Sequence, residues 1–302
     1  MTEMPRVPEI PRVPEIPRVP EIRSVTEPDT AGLLEGLKRR IAQEDRLVTA
    51  YSGGADSALL AAVAHQVLGS RALAVTAVSA SLPAAERAAA RDFARSRGLA
   101  HVEVCTDELD RPEYRRNGAD RCFHCKSALF DALAPVAAAM GARVALGTNL
   151  DDLSDHRPGQ AAARDRGAVF PLVDAGLSKA AVRAVSRGLG LATAGKPAAA
   201  CLSSRIAYGD PVSPELLGRI EQAEDALHRA GFAVCRVRAH AAGSVARIEV
   251  PPEDLGRLLD RREEIGGLVR AAGFVFAAAD LAGLRSGSMN ALLPLSVVHR
   301  AG

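Results

Sequence analysis

The feature that most constrains this chain is a short run at 52–57, with the sequence Ser-Gly-Gly-Ala-Asp-Ser. An apolar stretch at 47–51 precedes it, and an alanine- and leucine-rich stretch at 58–64 follows it. This order predicts a strand, a tight glycine turn and a helix. Adjacent glycines let backbone N–H groups converge on an anion without a Cβ in the way, and the start of a helix adds unpaired N–H groups. We therefore expect a phosphate cradle here. The alternative is a glycine turn in some other α/β protein.

The spacing of apolar runs predicts the fold class. Four runs, at 47–51, 72–78, 101–105 and 143–146, predict strands, and the segments between them predict helices. Strands alternating with helices are typical of a doubly wound parallel sheet, an α/β fold. Ligands of such sheets bind at the carboxyl ends of the strands. The glycine turn, Ser79 and the residues after 146 all fall at that edge.

The pattern changes after Pro211 to helix, strand, strand, helix, strand, which predicts a smaller α+β domain. We predict domains at 26–208 and 209–302, with a tail at 1–25. Individual elements are predicted as helices at 127–140, 178–190, 213–230 and 252–271, and strands at 232–238, 245–250 and 274–278.

The tail is a tandem repeat. Residues 5–22 are three copies of Pro-Arg-Val-Pro-Glu-Ile. Proline at every third position forbids a helix and removes ladder donors, so we expect an extended, polyproline-like segment. A duplication without a catalytic role is a simpler interpretation than a docking motif.

Composition argues against several classes of function. The net charge is only +2, aromatic residues make up 3% of the chain and tryptophan is absent, so a nucleic-acid-binding face is poorly supplied. No apolar run approaches the roughly 18 residues of a membrane span, and the N-terminus lacks the apolar core of a signal peptide. We expect a cytoplasmic protein. Lysine occurs only four times, and Lys126 and Lys196 lie near cysteines, which is weak evidence that an ammonium is needed there.

The cysteines are too few and too unevenly placed for a disulfide framework. There are five, an odd number. Cys122 and Cys125 form a C-x-x-C between a polar loop and a predicted helix, which is compatible with a redox pair, a zinc half-site or an iron–sulfur half-site. Cys201 lies in another loop, and three thiolates would leave one iron of a [4Fe–4S] cluster without a protein ligand. His124 could complete a zinc site instead. The remaining two, Cys105 and Cys235, are predicted to be buried and unpaired.

A polar loop follows the fourth predicted strand. Residues 147–152 carry two carboxylates, Asp151 and Asp152, and residues 154–159 add an acid and a cation. These are candidates for contacts to a nucleotide and to magnesium-bound pyrophosphate. A solvated polar loop is the alternative.

Taken together, these segments resemble a known family. The S-G-G-x-D-S run is similar to that of the PP-loop ATP pyrophosphatases. The wider set resembles the LarE family, the sulfur-inserting enzymes of nickel-pincer nucleotide biosynthesis. The matching segments are Ser52–Ser57, Asp120–Lys126, Gly147–Gly159, Lys196–Gly209 and Arg285–Ser288. They extend over nearly the whole chain except the tail, and the cysteine-bearing segments are the most specific.

The resemblance implies a reaction. ATP adenylates a carboxylate of pyridinium-3,5-biscarboxylic acid mononucleotide and releases pyrophosphate, and a sulfur nucleophile then displaces AMP. A repeat on the second carboxylate gives the dithio product. Family members with one cysteine, at the position of Cys201, sacrifice its sulfur. Members with three cysteines hold a [4Fe–4S] cluster that relays sulfide. The three cysteines here match the second type, and a sacrificial Cys201 is the alternative.

The resemblance also implies residue roles. Catalytic roles are implied for Asp56, Lys126, Cys122, Cys125 and Cys201, the three cysteines being also the cluster ligands. Contacts to ATP and Mg²⁺ are implied for residues at the sheet edge, namely Ser52, Gly53, Gly54, Asp56, Ser57, Ser79, Gly147, Thr148 and Asp152. Contacts to the nucleotide substrate are implied for Arg205, Arg236, Arg238 and Glu249.

The implied partners are a small nucleotide, a sulfur donor and further copies of the chain, as a trimer or hexamer. No membrane or nucleic-acid partner is expected. Three other classes compete with this interpretation. A tRNA-thiolating PP-loop enzyme would need a basic RNA-binding face. An amidotransferase-like synthetase would not explain the three cysteines. A non-catalytic zinc module would leave the glycine turn without a purpose.

Overall fold

The computed structural model describes residues 29–153, 163–164, 166–197, 200–285 and 287–292. The predicted tail and its repeat lie outside the described residues. So does the polar segment 154–159 of the loop that follows the fourth strand.

The first sheet has four parallel strands. They are β1 (Leu47–Ala50), β2 (Ala72–Val78), β3 (His101–Cys105) and β4 (Arg143–Leu146), as the sequence predicts. Their order is β3-β2-β1-β4. The chain moves outward from β1 to β3 and then returns to the other side of β1. The carboxyl ends of β1 and β4 therefore flank a topological switch point, where open α/β sheets form their ligand crevice.

Helices cover both faces of this sheet. The helices are α1 (Thr30–Ile41), α2 (Ala55–Leu68), α3 (Ala84–Ser96), α4 (Pro112–Arg115), α5 (Arg121–Met140), α6 (Pro171–Asp174) and α7 (Lys179–Gly188). Leu47 belongs to the apolar cluster with α1, α2, α3 and α7, whereas its neighbour Val48 packs with Leu133 of α5. This alternation follows from the period of two along a strand. The side chains of Asp29 and Ser178 cap α1 and α7.

Helix α5 begins six residues earlier than the sequence suggests. The predicted start at 127 is wrong, because the helix begins at Arg121 and includes the C-x-x-C segment in its first turns. Asp120, the N-cap residue, is of a type that favours a helix start, but its side chain makes no capping hydrogen bond. Arg121 donates to the Asn117 side chain, four residues earlier, and to the distant Ser203 carbonyl.

The second sheet has three strands in the order β5-β6-β7. They are β5 (Arg236–His240), β6 (Val245–Glu249) and β7 (Phe276–Ala279), and the helices are α8 (Pro214–Arg229), α9 (Leu255–Asp260) and α10 (Arg262–Ala271). β5 pairs antiparallel with β6, and β7 pairs parallel with β6. The strand predicted at 232–238 begins four residues later, and the helix predicted at 252–271 is broken at Arg261. Arg261 donates to the Ala230 carbonyl (2.6 Å) and lies against the Phe232 ring, contacts that fix the chain at the break.

A separate apolar cluster lies under this second sheet. Three of its buried residues, Tyr114, Leu202 and Ile206, precede position 208 in the chain, and Ile206 forms a β-bridge with Ala239. The predicted domain boundary at 208/209 stays a prediction. Among the described helices, none is long and apolar enough to cross a membrane.

Candidate active site

The glycine turn connects the end of β1 to the start of α2. Gly53 has a φ of 73°, a conformation that favours glycine, and a Cβ there would lie 2.9 Å from the Ala90 Cβ. Gly54 is the N-cap residue of α2. The hydroxyl groups of Ser52 and Ser57 lie 3.1 Å apart across the turn. The backbone N–H groups at the start of α2 and two hydroxyls therefore face the same edge of the sheet.

A cleft of about 290 Å³ opens at this edge, between the ends of β1 and β4. Eight of the residues predicted to bind ATP or take part in catalysis line it, namely Ser52, Gly54, Asp56, Ser57, Lys126, Gly147, Thr148 and Asp152. Gly147 comes so close to α2 that a Cβ would lie 2.8 Å from the Ser57 backbone nitrogen. The three cysteines are not part of the lining, nor are two of the residues predicted to contact ATP. Gly53 presents its carbonyl to Lys196, and the Ser79 hydroxyl accepts from the Ser81 backbone N–H (3.2 Å).

Asp56 is held by two neighbours. Its Oδ1 accepts from Asn149 Nδ2 (3.2 Å), and its Oδ2 pairs with the Lys179 ammonium. Neither partner is predicted from the sequence. Lys179 is the first residue of α7, more than a hundred positions from Asp56. The scarcity of lysine is the one signal that could have identified it.

Two more of the four lysines face the same region. Lys196 Nζ donates to the Gly53 carbonyl (3.1 Å) and pairs with Glu86 (2.7 Å). Lys126 lines the cleft, directly after Cys125 in the first turns of α5. The fourth lysine, Lys38, forms a surface pair elsewhere. The cleft thus combines ammonium groups, helix N–H groups and carboxylates, the mixture that binds magnesium-bound phosphates.

The loop that carries Cys201 is anchored by a buried triangle of hydroxyls. The hydroxyl oxygens of Ser81, Tyr114 and Ser203 lie 2.6–2.9 Å from one another. The Leu202 backbone N–H donates to the Ser81 carbonyl (2.9 Å). Burial raises the pKa of Tyr114 well above its usual range, so its hydroxyl stays protonated. The backbone of the loop is therefore fixed while the Cys201 side chain is exposed.

Two buried ion pairs brace the same loop. Arg205 pairs with Glu224 (3.0 Å) and donates to the carbonyls of Ala200 (2.6 Å) and Cys201 (3.1 Å). Arg238 pairs with Glu249 (2.8 Å) and donates to the Ser204 carbonyl (3.0 Å). Three of the four residues predicted to contact substrate are thus used in these pairs.

The fourth, Arg236, has a different setting. It lines a cavity of about 390 Å³ together with Lys196 and Arg205. Its guanidinium forms no hydrogen bond or ion pair with the residues that the structure describes. Burial and the nearby charges of Arg238 and Arg205 lower the pKa of Arg236. An unpaired cation on a cavity wall is suited to binding an anionic group of a ligand.

The three predicted cluster ligands share one neighbourhood. Cys122 and Cys125 are three positions apart on one face of α5, and burial raises the pKa of Cys125 to about 12, with the charges of Cys201, Glu108 and Cys122 acting in the same direction. In the described part of the chain, however, no three His, Cys, Asp or Glu side chains are close enough together to hold a metal ion. The cluster therefore stays a prediction.

His124 and the two cysteines predicted to be buried have different surroundings. His124 lies 3.1 Å from the Asp120 carboxylate. Cys235 is buried, as predicted, and burial raises its pKa to about 12. The prediction that Cys105 is buried is wrong: it is exposed, because it is the last residue of β3, which lies at the edge of the sheet.

Known proteins are similar to this chain over most of its length. An uncharacterised protein of Synechocystis sp. is 43% identical over 264 residues, which are 86% of this chain and 97% of that protein. The pyridinium-3,5-bisthiocarboxylic acid mononucleotide synthase of Lactiplantibacillus plantarum is 34% identical over 247 residues, 81% of this chain and 89% of that enzyme. An uncharacterised protein of Methanocaldococcus jannaschii is 26% identical over 234 residues, 77% of this chain and 88% of its own length. No protein-family model matches the chain.

Proposed function

This chain belongs to the LarE family, which includes the pyridinium-3,5-bisthiocarboxylic acid mononucleotide synthase, and we propose that it performs the sulfur insertion of that family. Its substrate is then pyridinium-3,5-biscarboxylic acid mononucleotide. ATP activates each carboxylate as an acyl adenylate, and sulfur replaces one carboxylate oxygen. The product serves the biosynthesis of the nickel-pincer nucleotide.

One observation carries this proposal: both cysteine-bearing segments connect directly to the cleft at the glycine turn. Lys126 follows Cys125 and lines the cleft. Lys196 Nζ donates a hydrogen bond to the Gly53 carbonyl (3.1 Å), and Cys201 follows five residues later in the sequence. An acyl adenylate formed at the cleft would therefore lie next to the cysteines. Proximity of this kind favours capture of a reactive intermediate before water reaches it.

In the activation step, different residues of the cleft have different roles. The N–H groups after Gly54 and the hydroxyls of Ser52 and Ser57 stabilise the negative charge of the leaving pyrophosphate. Lys126, on the cleft wall, neutralises phosphate charge. Two carboxylates, Asp56 and Asp152, would hold Mg²⁺ against the phosphates. The substrate carboxylate attacks the α-phosphorus, the bond from that phosphorus to the bridging oxygen breaks, and pyrophosphate leaves.

The sulfur step has two versions. Three cysteine thiolates are soft ligands that suit iron–sulfur chemistry, and we propose that Cys122, Cys125 and Cys201 hold a [4Fe–4S] cluster, which when bound supplies sulfide to the adenylate. In the alternative, the Cys201 thiolate attacks the acyl carbon and AMP leaves, giving a thioester. Loss of the Cys201 α-proton and cleavage of its Cβ–S bond then give the thiocarboxylate and dehydroalanine.

Arg236 is the best candidate to hold the substrate phosphate. It is the one predicted substrate arginine without an ion-pair partner in the described part of the chain, and it lines a cavity with Ala200 and Arg205 beside the Cys201 loop. Arg205, Arg238 and Glu249 would contribute indirectly, by fixing that loop. We also propose that the chain divides into two domains at 208/209. Its copies are proposed to assemble as a trimer or hexamer.

The test is an anaerobic reaction of the purified full-length protein with ATP, the biscarboxylic acid mononucleotide and sulfide. Mass spectrometry of the nucleotide should show oxygen replaced by sulfur, with one AMP and one pyrophosphate formed for each replacement. Iron and acid-labile sulfide near four per chain, lost in Cys122→Ala, would support the cluster. Colourless protein that gains dehydroalanine at Cys201 would support the alternative. Tight, salt-sensitive binding of bulk tRNA together with no thiolated nucleotide would contradict the proposed substrate.

A further inference from the structure

Arg121, the first residue of α5, is a buried cation. Its side chain is 5% exposed. Nη1 donates to the Asn117 Oδ1 (2.5 Å) and to the Ser203 carbonyl (2.8 Å). The guanidinium lies over the Tyr208 ring, 5.6 Å from its centroid. All of these partners are formally neutral, so none of them cancels the charge.

This lack of a counter-ion distinguishes Arg121 from the other buried arginines near the site. Arg205 and Arg238 each pair with a buried carboxylate. Within the part of the chain that the structure describes, no carboxylate lies within ion-pair distance of Arg121. Glu108 is a buried carboxylate in the same region, but it acts on Cys125 and forms no pair with Arg121. Charges removed from water are normally paired, so an unpaired one indicates an anion that is bound only during function.

Two exposed thiols belong to the surroundings of this charge. Cys122 follows Arg121 directly, and Ser203, whose carbonyl Arg121 holds, is two residues after Cys201. Burial opposes the charge of Arg121, and among the ionisable groups that favour it, Cys201 and Cys122 act more strongly than the two tyrosines. The guanidinium thus shares its surroundings with two exposed cysteines.

The position of the charge is fixed. Asn117 is fully buried with a φ of 56°, and its Nδ2 donates to the carbonyls of Ala207 (2.8 Å) and Asp210 (2.9 Å). Ser203 is part of the hydroxyl triangle described above. Because both hydrogen-bond acceptors of Arg121 are anchored, the guanidinium cannot turn outward to reach a surface carboxylate. Such a preorganised charge acts on an incoming anion without a reorganisation cost.

We propose that Arg121 is the fixed counter-charge of the sulfur-transfer site, creating the positive potential that attracts an anionic sulfur donor of the hydrosulfide class to Cys201 and Cys122. The proposal rests on the sulfur-transfer function proposed above. Arg121 does not react itself. It acts through space on an anion that approaches the two thiols.

The test measures the potential at Cys201 with two alkylating reagents of different charge. Full-length, reduced protein freed of iron by a chelator is briefly exposed to an equal mixture of iodoacetate, an anion, and iodoacetamide, which is neutral. Mass spectrometry of the Cys201 peptide then gives the ratio of carboxymethyl to carbamidomethyl product. Both reagents consume the same thiolate, so the ratio is independent of the thiol pKa and reports the local potential.

Three variants decide the outcome. In Arg121→Gln the ratio at Cys201 should fall about threefold at low ionic strength, and Arg121→Lys should restore it. Arg219→Gln is the matched control, since Arg219 also lies over an aromatic ring, at 4.6 Å from the Phe274 centroid, and donates to the Gly243 backbone carbonyl. It should leave the ratio unchanged. The ratio at the exposed Cys105 serves as an internal reference in every sample.

An unchanged ratio at Cys201 in folded Arg121→Gln would overturn the proposal. If that variant fails to fold, the wild-type protein still decides. Its ratio at Cys201 should exceed that of a neutral cysteine derivative and should decline with added salt, and equality of the two would overturn the proposal. The labelling needs neither ATP, iron nor the nucleotide. A failed sulfur-insertion assay with an intact charge effect would therefore contradict the proposed function and leave the positive potential established.

Discussion

The Lys179 ammonium forms an ion pair with the Asp56 carboxylate, which lines the cleft. The pair joins the first residue of α7 to the first turn of α2, and Asn149, after β4, holds the other carboxylate oxygen (3.2 Å). Asp56 therefore has one orientation before any nucleotide arrives. A carboxylate that is already aimed and compensated can receive a magnesium–phosphate complex with little rearrangement.

Replacing Lys179 by alanine should weaken ATP use. A charge-assisted hydrogen bond is worth about 1.5–3 kcal/mol, so we expect kcat/KM for ATP to fall about tenfold or more, with partial recovery in Lys179→Arg. Pyrophosphate release measures the effect. Lys38→Ala, which removes a lysine from a surface pair with Glu35, is the matched control and should leave kcat/KM unchanged. Equal kcat/KM in Lys179→Ala and the wild type would show that the pair is merely structural.

Replacing Gly147 by alanine should destabilise the protein. The added Cβ would lie 2.8 Å from the Ser57 nitrogen and 3.0 Å from its Cα, and these backbone atoms at the start of α2 cannot move aside. We expect a loss of about 1–3 kcal/mol in the free energy of unfolding, together with weaker nucleotide binding.

Gly218→Ala is the control for that experiment. Gly218 lies inside α8, and a Cβ there would meet nothing within 4 Å. It should stabilise the protein by about 0.5–1 kcal/mol, because alanine is the better helix former. Urea denaturation compares the two variants. Equal effects of the two substitutions would mean that the close approach at Gly147 is relaxed in solution.

The strands and the glycine turn were predictable because their signals are local. β2, for example, coincides with one apolar run at 72–78, bounded by polar residues. The start of α5 differs from the prediction, and there Arg121 donates to the carbonyl of Ser203, which is more than 80 positions away. Local composition contains no record of such a contact.

The same distinction between local and long-range signals applies to the residues of the site. The residues of the cleft follow strand ends, and parallel strands bring their carboxyl ends to one edge, so the sequence predicts that they meet. The sequence does not predict Lys179 as the partner of Asp56, because a local pattern of residues does not show which distant lysine the fold brings to the carboxyl edge of the sheet. The prediction that Cys105 is buried fails because the sequence of a strand does not encode strand order, and strand order makes β3 an edge strand.

Replacing Glu249 by glutamine should cost far more stability than replacing a surface carboxylate. Glu249 is fully buried, and its partner Arg238 is 3% exposed. Loss of the carboxylate leaves a buried guanidinium without its charge partner, which costs about 3–5 kcal/mol. Thermal or urea unfolding measures the change. Asp92→Asn, which removes an exposed partner of Arg95, should change stability by less than about 1 kcal/mol. Similar small effects of both substitutions would mean that water hydrates the Arg238 guanidinium in the variant.

Stability should fall as the pH is lowered from 7.5 to 5.5, because two histidines are held neutral. His101 lies 2.9 Å from the Thr76 hydroxyl and edge-on to Tyr51, and burial lowers its pKa below the usual value of 6.5. Burial, together with Arg247, lowers the pKa of His240 as well. Below pH 6.5 the unfolded chain therefore binds more protons than the folded one, and unfolding is favoured. Glu103, with a pKa of about 2 set by its hydrogen bonds to Arg87 and Arg91, stays ionised throughout this range and does not contribute to the slope.

The urea midpoint at several pH values checks this prediction. His101→Gln, which keeps a hydrogen-bonding group near Thr76, should have a shallower decline, and the double variant with His240→Gln should be nearly flat between pH 7.5 and 5.5. His228→Gln, at the last turn of α8, is the matched control and should decline as the wild type does, because it leaves His101 and His240 in place. An equally steep decline in the double variant would contradict the assignment and place the titrating group elsewhere.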